Sequence, residues 1–185
     1  MQLIGIAGQR GVGKDTVGQF LVEDHNYHLI KMADYLKNML RTLLRDAGLS
    51  LSEIERRIEG DLKAAPMDIL FGKSVRDAMM FLGTEWRDLI HTELWTRLTF
   101  SRIVTLQDSG IQRIVITDIR FPHEVDMVHQ FNGRVVKVER PGFENDVAHA
   151  SENLVAALKS DFTIVNDCDL ATLRSKVGLL ASISF

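Results

Sequence analysis

The sequence predicts an α/β fold in which a parallel β-sheet is flanked by helices, and three observations predict it. Short apolar runs alternate along the chain with stretches whose apolar residues recur at helical spacing. Several of these runs are apolar almost without interruption, as strands covered on both faces are. A glycine-rich segment, Gly8 to Lys14, lies between the first run and the first helical stretch. Strands that alternate with helices in this way form parallel sheets.

The first elements follow from local patterning. Leu3 to Ala7 is an apolar run that ends at Gly8 and predicts a strand. The stretch after the glycines carries Val17, Phe20 and Leu21 at helical spacing, so a helix follows the loop. Tyr27 to Met32 is nearly all apolar and predicts a second buried strand.

Residues 33–107 show an almost wholly helical pattern without a strand signal. Apolar residues repeat there at intervals of three and four. Ser52 is expected to cap a short helix that ends at Arg57, and Ser74 to cap the next one with Asp77 at its third position. The break between them is predicted as a loop from Gly60 to Ser74. A further helix begins near Thr84 and carries the apolar positions Ile90, Leu94, Leu98 and Ile103.

Strand character returns in the last third of the chain. Arg113 to Thr117 predicts a strand that ends at Asp118, and Pro122 is placed to begin a helix. The remaining predictions are a strand at Val135–Val138, a polar loop from Arg140 to Ser151, a strand at Phe162–Val165 and a terminal helix capped by Asp169. We expect one domain over residues 1–185, with the helical insertion 33–107 as a lobe.

Composition bounds the function. The chain has 185 residues, of which 45% are hydrophobic and 25% charged, and its net charge is -3. Disordered, collagen-like and coiled-coil proteins have other compositions. Without a basic run we expect no nucleic acid polymer as a partner, and small molecules instead. The single cysteine, Cys168, permits neither an intramolecular disulfide nor a Cys-based zinc site.

The sequence favours a cytoplasmic location. Met1 to Ala7 is followed directly by glycines and Arg10, and this start has neither the basic region nor the long apolar core of a signal peptide. No apolar run approaches the ~18 residues that would span a bilayer, so no membrane partner is expected. Cys168 as the only cysteine is typical of a reducing compartment.

The glycine-rich segment fits the phosphate-binding pattern of glycine, four residues and Gly-Lys. Its N–H groups and the helix N-terminus would face phosphate oxygens, and the Lys14 ammonium would bridge the β- and γ-phosphates. The alternative is a glycine-rich turn that caps a helix while Lys14 stays solvated. The predicted phosphate-binding residues are Gly8, Arg10, Gly11, Val12, Gly13, Lys14, Asp15 and Thr16.

Asp15 occupies the position where this pattern usually has the Ser or Thr that ligates magnesium, and Thr16 follows it. Asp15 could hold Mg²⁺ directly or through water, or Thr16 could supply the hydroxyl. Alternatively, Asp15 only favours the helix dipole at its N-terminus.

Asp118 ends a hydrophobic strand, the place at which open α/β sheets carry ligand-contacting residues. It could orient Mg²⁺ or its waters, or it could simply make a turn. Arg120 could meet the oxygens of a transferred phosphoryl group, or it could form a structural ion pair with Glu124. Lys14, Asp118 and Arg120 are the predicted catalytic residues.

Five segments together resemble the phage-type deoxynucleoside monophosphate kinases, within the wider nucleoside monophosphate kinase group of P-loop NTPases. The resemblance spans nearly the whole chain, and its first and fourth segments are the most specific in combination. The segments are Gly8 to Thr16, Ala33 to Lys37, Gly83 to Arg87, Thr117 to Pro122 and His149 to Glu152.

The resemblance implies ATP as phosphoryl donor, Mg²⁺ as cofactor and a deoxynucleoside 5′-monophosphate as acceptor. It also implies an acceptor-binding role for the helical insertion and a lid within residues 120–152. By the same resemblance the acceptor-binding residues are Asp34, Lys37, Arg76, Glu85, Trp86 and Arg87. Arginines grip phosphates bidentately, and Trp86 offers a stacking face. As alternatives, Trp86 belongs to the core, and Arg76 and Arg87 are solvated helix charges.

Two other functions fit the same residues. One is a P-loop kinase of a small hydroxyl acceptor, similar to dephospho-coenzyme A kinase, with Asp34 as general base. The other is a nucleotide-binding switch whose helical lobe contacts a protein. A monophosphate acceptor needs no general base, because its phosphate is already anionic and nucleophilic at neutral pH. The sequence is compatible with a monomer and with a homodimer.

Overall fold

A computed structural model describes residues 1–142, 155 and 157–183. Within these residues five parallel strands form one sheet in the order β2-β3-β1-β4-β5. The strands are β1 (Gln2–Ala7), β2 (His28–Ile30), β3 (Arg113–Ile119), β4 (Arg134–Glu139) and β5 (Phe162–Val165). The predicted α/β fold with a helix-flanked parallel sheet is therefore confirmed.

The chain divides into two compact units, with the boundary at Leu98 inside a helix. Residues Met1–Lys31 and Thr99–Phe185 form the sheet unit, and Met32–Leu98 form the helical unit. The helices are α1 (Lys14–His25), α2 (Ala33–Asp46), α3 (Leu51–Ile58), α4 (Val75–Phe81), α5 (Arg87–Ile90), α6 (Leu94–Asp108), α7 (Pro122–Gln130) and α8 (Leu170–Ser182). No helix in the described ranges is long and apolar enough to cross a membrane.

The core of the sheet unit lies on both faces of β1. Ile4 and Ile6 pack with Val17 of α1 and Leu173 of α8 in one buried cluster. On the other face, Gly5 meets the side chain of Val128 in α7. Each fully buried aliphatic side chain contributes ~1.5–3 kcal/mol, so this two-sided burial fixes the position of β1 and of the loop that follows it.

Two strand boundaries differ from the sequence-based expectation. β2 is shorter than Tyr27–Met32, because Asn26 adopts a left-handed conformation and the Tyr27 N–H closes the end of α1 on the Leu21 carbonyl. Met32 is the N-cap of α2. β3 is longer than expected and continues through Asp118 to Ile119, because Ala7 extends β1 alongside and pairs with Ile119.

The helical unit has a core of its own, built from Leu44 of α2, Ile54 and Ile58 of α3 and Val75 of α4. The predicted cap of α3 is wrong: Ser50, not Ser52, accepts the Glu53 N–H at 3.2 Å. Ser50 has the extended backbone that an N-cap needs, whereas Ser52 already lies in the helix.

The capping of α4 by Ser74 and Asp77 is confirmed. The Ser74 hydroxyl accepts the Asp77 N–H at 3.2 Å, and the Asp77 carboxylate accepts the Ser74 N–H at 2.8 Å. In the predicted loop from Gly60 to Ser74 the structure adds a short 3₁₀ turn at Asp68–Leu70.

The prediction that a helix begins near Thr84 is wrong. Instead α4 continues through a π-helical turn, Leu82–Trp86, directly into α5. The break falls at His91, which has extended backbone and accepts the Glu93 N–H on its ring Nδ1 at 3.1 Å. A π-turn adds one residue and changes which side chains share a helix face, so apolar spacing alone did not reveal it.

Candidate functional site

The predicted phosphate-binding segment forms a loop between β1, which ends at Ala7, and α1, which begins at Lys14. Gly13 is the N-cap of α1 and has a φ of 104°, a left-handed conformation that favours glycine. Its carbonyl accepts the Val17 N–H at 3.0 Å and so starts the helix. The strand, loop and helix that phosphate binding requires are therefore present.

The loop lies against the carboxyl ends of β4 and β5. A Cβ atom on Gly8 would lie 2.5 Å from the Val138 carbonyl oxygen, so only glycine permits this approach. At the other end of the loop, the Asn166 side-chain Nδ2 donates to the Val12 carbonyl at 2.9 Å. Sequence reasoning missed Asn166, although it is the first polar residue after β5 and the strand-end rule could have found it.

Lys14 is half-buried, and its ammonium donates to the Gln9 carbonyl at 2.6 Å. The ammonium group that is predicted to bind phosphate is therefore hydrogen-bonded to the backbone of its own loop. Arg10 is exposed at the tip of the loop.

Asp15 is in the first turn of α1 and pairs with Lys31, with 2.5 Å between Oδ1 and Nζ. Its side chain is 78% exposed. The pair does not exclude a helix-dipole effect, because the carboxylate still lies at the positive end of α1. Thr16 is half-buried in the same turn. No sequence pattern points to Lys31, which lies between β2 and α2.

Asp118 is half-buried in β3, which pairs in parallel with β1. Gly5 pairs with Ile116 and Ala7 with Ile119, so β3 has one extra residue at the Thr117–Asp118 step. Such bulges re-aim side chains and are common beside active sites. The structure therefore brings Asp118 to the same edge of the sheet as the phosphate loop, as the parallel arrangement predicts.

Glu124 in the first turn of α7 fixes the corner between β3 and α7. Its carboxyl accepts the backbone N–H groups of Arg120 at 2.6 Å and Phe121 at 3.0 Å. Burial and the neighbouring negative charge of Asp118 raise the pKa of Glu124 to about 8. Among the described residues no ion pair joins the two side chains of Arg120 and Glu124. The half-buried Arg120 is thus positioned through its backbone.

The six predicted acceptor-binding residues all lie in the helical unit. Lys37 is buried and pairs with Glu59 at 2.7 Å, so an acceptor-binding role requires this pair to open. Arg87 pairs with the adjacent Asp88 at 2.8 Å, and its side chain is mostly buried. The core alternative for Trp86 is wrong, because this residue is 42% exposed.

Arg76 and Glu85 are exposed, and Asp34 is half-buried in the first turn of α2. Glu85 and Trp86 lie on the π-helical turn. Such turns interrupt a regular helix at a cost and are frequent at functional sites. The π-turn is held close to α2, since a Cβ on Gly83 would lie 3.3 Å from the Leu36 side chain.

Part of the predicted lid lies outside the described residues. The region 120–152 includes α7, β4 and the start of the following loop, which are described as far as Gly142. The segment His149 to Glu152, which contributes to the family resemblance, is among the residues that the structure does not describe.

Comparison with protein families and curated proteins finds matches to one kind of enzyme. A family model described as deoxynucleotide monophosphate kinase matches residues 49–177. A protein of Acanthamoeba polyphaga mimivirus, named "Putative deoxynucleotide monophosphate kinase", is 28% identical over 189 residues, 96% of this chain and 94% of the viral protein. The deoxynucleotide monophosphate kinase of Enterobacteria phage T4 is 32% identical over 108 residues, 56% of this chain and 44% of the phage protein.

Similar solved structures share the fold. TT1252 from Thermus thermophilus superimposes with a TM-score of 0.50 at 18% identity, covering 100% of this chain and 98% of that one. A sugar kinase from Janibacter sp. HTCC2649 superimposes with a TM-score of 0.51 at 15% identity, covering 95% and 91%. At these identities the likeness extends to the fold alone.

Proposed function

The chain belongs to the deoxynucleotide monophosphate kinase family, and from this premise we propose that specific residues of its two units bind ATP and the acceptor. The enzyme is a phosphotransferase that phosphorylates deoxynucleoside 5′-monophosphates. The observation that carries the assignment of the ATP site is the loop from Gly8 to Gly13, placed between a buried strand and a helix N-terminus with Lys14 as the first helical residue.

The loop binds the β- and γ-phosphates of ATP through its backbone N–H groups and the positive end of α1. Lys14 supplies the one fixed positive charge of the phosphate-binding pattern. Its ammonium now donates to the Gln9 carbonyl, and it exchanges that bond for phosphate oxygens. A bond from an ammonium to an anionic oxygen is stronger than one to a neutral carbonyl, so the exchange is favourable.

The donor set suits Mg²⁺. Asp15, Thr16 and Asp118 offer only oxygen ligands, which are the ligands that Mg²⁺ takes in proteins. A site with few protein oxygens is typical of magnesium, which keeps several waters and binds substrate phosphates. When bound, the ion neutralises charge on the phosphates. We assign Asp118 and Thr16, with Asp15 directly or through water, as the residues that hold it.

The helical unit binds the acceptor. Arg76 is exposed, and the ion pair of Arg87 with Asp88 has to open before Arg87 binds the acceptor. Their guanidinium groups hold the acceptor phosphate, and the exposed face of Trp86 stacks on the base. Asp34 and Glu85 accept hydrogen bonds from base or sugar, and Lys37 adds positive charge once its pair with Glu59 opens.

The transfer needs positioning and charge neutralisation rather than a covalent nucleophile. An oxygen of the acceptor phosphate forms a bond to the γ-phosphorus as the bond from that phosphorus to the bridging oxygen of ADP breaks. Lys14 and Arg120 stabilise the equatorial oxygens of the transferred group. The lid that the family resemblance implies within residues 120–152 excludes water, which would otherwise hydrolyse ATP.

The substitution Lys14→Ala tests this site. It should reduce turnover by roughly a hundred-fold or more, because it removes a charge that acts on the transferred phosphoryl group. The melting midpoint should hardly move, because Lys14 is only half-buried. Lys159→Ala, at an exposed lysine of the same unit, is the matched control. Near-wild-type turnover in Lys14→Ala would refute the assignment of the ATP site.

A further inference from the structure

We propose that Asn166 is a positioning residue that sets the conformation of the phosphate-binding loop. The inference rests on the proposed function of that loop. Asn166 follows β5, and its side-chain amide donates to the Val12 carbonyl at 2.9 Å. The two residues are 154 positions apart in sequence. This bond joins the loop to a strand on the far side of β4.

The bond controls the direction of one backbone N–H group. The Val12 carbonyl and the Gly13 N–H belong to the same planar trans peptide unit and therefore point in opposite directions. With the carbonyl held towards Asn166, the Gly13 N–H points away from it. The loop binds phosphate through such N–H groups, so the orientation of this peptide decides whether one donor is available to the ligand.

This peptide is one that needs external support. Gly13 has a φ of 104° and no side chain, so rotation of the preceding peptide meets little steric resistance. The carbonyl of Gly13 is fixed by the Val17 N–H at 3.0 Å, but that bond does not fix the peptide before it. A Cβ on Gly13 would lie 2.6 Å from the Asn166 Nδ2 atom, so the amide occupies the space beside the glycine.

Asn166 is itself firmly placed. Its backbone N–H donates to the Glu139 carbonyl at 2.7 Å, which continues the pairing of β5 with β4. The preceding carbonyl, that of Val165, accepts from the Lys176 ammonium at 2.7 Å. Lys176 also pairs with Asp167 at 2.9 Å, so both neighbours of Asn166 are tied to α8. A side chain on such a fixed backbone can impose its geometry on a glycine-rich loop.

The test measures binding of ATP and of inorganic tripolyphosphate by calorimetry to Asn166→Ala, Asn166→Asp and the wild-type protein. Loss of one hydrogen bond that orients a donor should weaken both ligands by about five- to ten-fold in Asn166→Ala. Asn166→Asp keeps the size but cannot donate, and its charge repels the phosphates, so its loss should be larger. The KM of the deoxynucleoside monophosphate should stay within about two-fold of wild type.

The matched control is Gln130→Ala, which removes an exposed side-chain amide at the end of α7 in the same unit and leaves the bond from Asn166 to Val12. It should bind both ligands like the wild type. Melting midpoints without ligand identify any loss of fold, and Asn166→Asp serves if Asn166→Ala does not fold.

Two results would overturn the inference. Unchanged affinity of Asn166→Ala for both ligands would show that the loop holds its conformation without the amide. Weaker binding of ATP with unchanged binding of tripolyphosphate would mean that Asn166 contacts the nucleoside and not the loop. If the wild type binds ATP but phosphorylates no deoxynucleoside monophosphate, the proposed function fails, while the two binding measurements still decide the role of Asn166.

Discussion

The buried carboxyl of Glu124 makes folding stability depend on pH in a direction that can be measured. Its pKa is raised to about 8 in the folded protein by burial and by the charge of Asp118. The unfolded chain restores the ordinary value for glutamic acid, 4.5. The folded state therefore binds one proton more than the unfolded state throughout the interval between these two values.

The sign and the size of this pH dependence follow from proton linkage. Below the unfolded pKa of 4.5 the group is protonated in both states, and the stabilisation linked to this proton is complete. As pH rises towards about 8, the unfolded state gains stability at ~1.4 kcal/mol per pH unit. Between about pH 5 and about pH 8 the wild-type protein should lose up to ~4 kcal/mol of unfolding free energy through this group.

The substitution Glu124→Gln isolates the effect. Glutamine keeps a carbonyl oxygen to accept the N–H groups of Arg120 and Phe121 but has no titrating proton. Urea denaturation of both proteins over this pH range gives the difference between their unfolding free energies. The contributions of the other titrating groups cancel in this difference. The stability of the wild type relative to Glu124→Gln should fall as pH rises.

Asp126→Asn is the control, because it makes the same chemical change at an exposed position on α7. Its stability difference from wild type should be nearly independent of pH. If the difference for Glu124→Gln is equally flat, or if it rises with pH, the carboxyl is ionised in the folded protein. In that case the account of this corner is wrong.

Substitutions at four further residues test the proposed site. Asp15→Asn should shift the Mg²⁺ concentration needed for half-maximal rate while stability changes by less than ~1 kcal/mol; a change in stability alone would restrict Asp15 to the helix dipole. Asp118→Asn should lower turnover or raise the Mg²⁺ requirement without lowering the melting midpoint, and an unchanged magnesium titration and rate would make Asp118 a purely structural residue. Arg76→Ala and Arg87→Ala should each raise the KM of the acceptor roughly ten-fold while the KM of ATP stays the same, because a charge-assisted contact contributes ~1.5–3 kcal/mol. Lys at either position should restore the acceptor KM only in part. An unchanged acceptor KM in both Ala variants would show that these arginines do not bind the acceptor phosphate.

The features that the sequence predicted well are those encoded by local patterns. The order of strands and helices followed from the spacing of apolar residues, and the phosphate loop from the glycines before Lys14. The placement of Asp118 beside this loop followed from one general property of parallel sheets, that their carboxyl ends meet at one edge.

The features that were missed depend on contacts between distant residues. Asn166 contacts Val12 although 154 residues separate them in sequence. Lys31 follows β2 and contacts Asp15, which lies at the start of α1. Neither contact leaves a periodic signal, because each depends on which segments the sheet brings together. The π-helical turn at Leu82–Trp86 was missed for another reason: the extra residue of a π-turn shifts the helix face, and a search for regular spacing of three and four residues does not look for such a shift.

The central claim is transfer of the γ-phosphoryl group of ATP to the phosphate of a deoxynucleoside monophosphate. The most direct measurement incubates the protein with Mg²⁺ and ATP labelled in the γ-phosphate, together with each deoxynucleoside monophosphate or the corresponding nucleoside, and separates the products. We predict label in a deoxynucleoside diphosphate for at least one monophosphate, and none in products of the nucleosides. Label in phosphorylated nucleosides, or only in inorganic phosphate at a rate that no monophosphate changes, would contradict the claim.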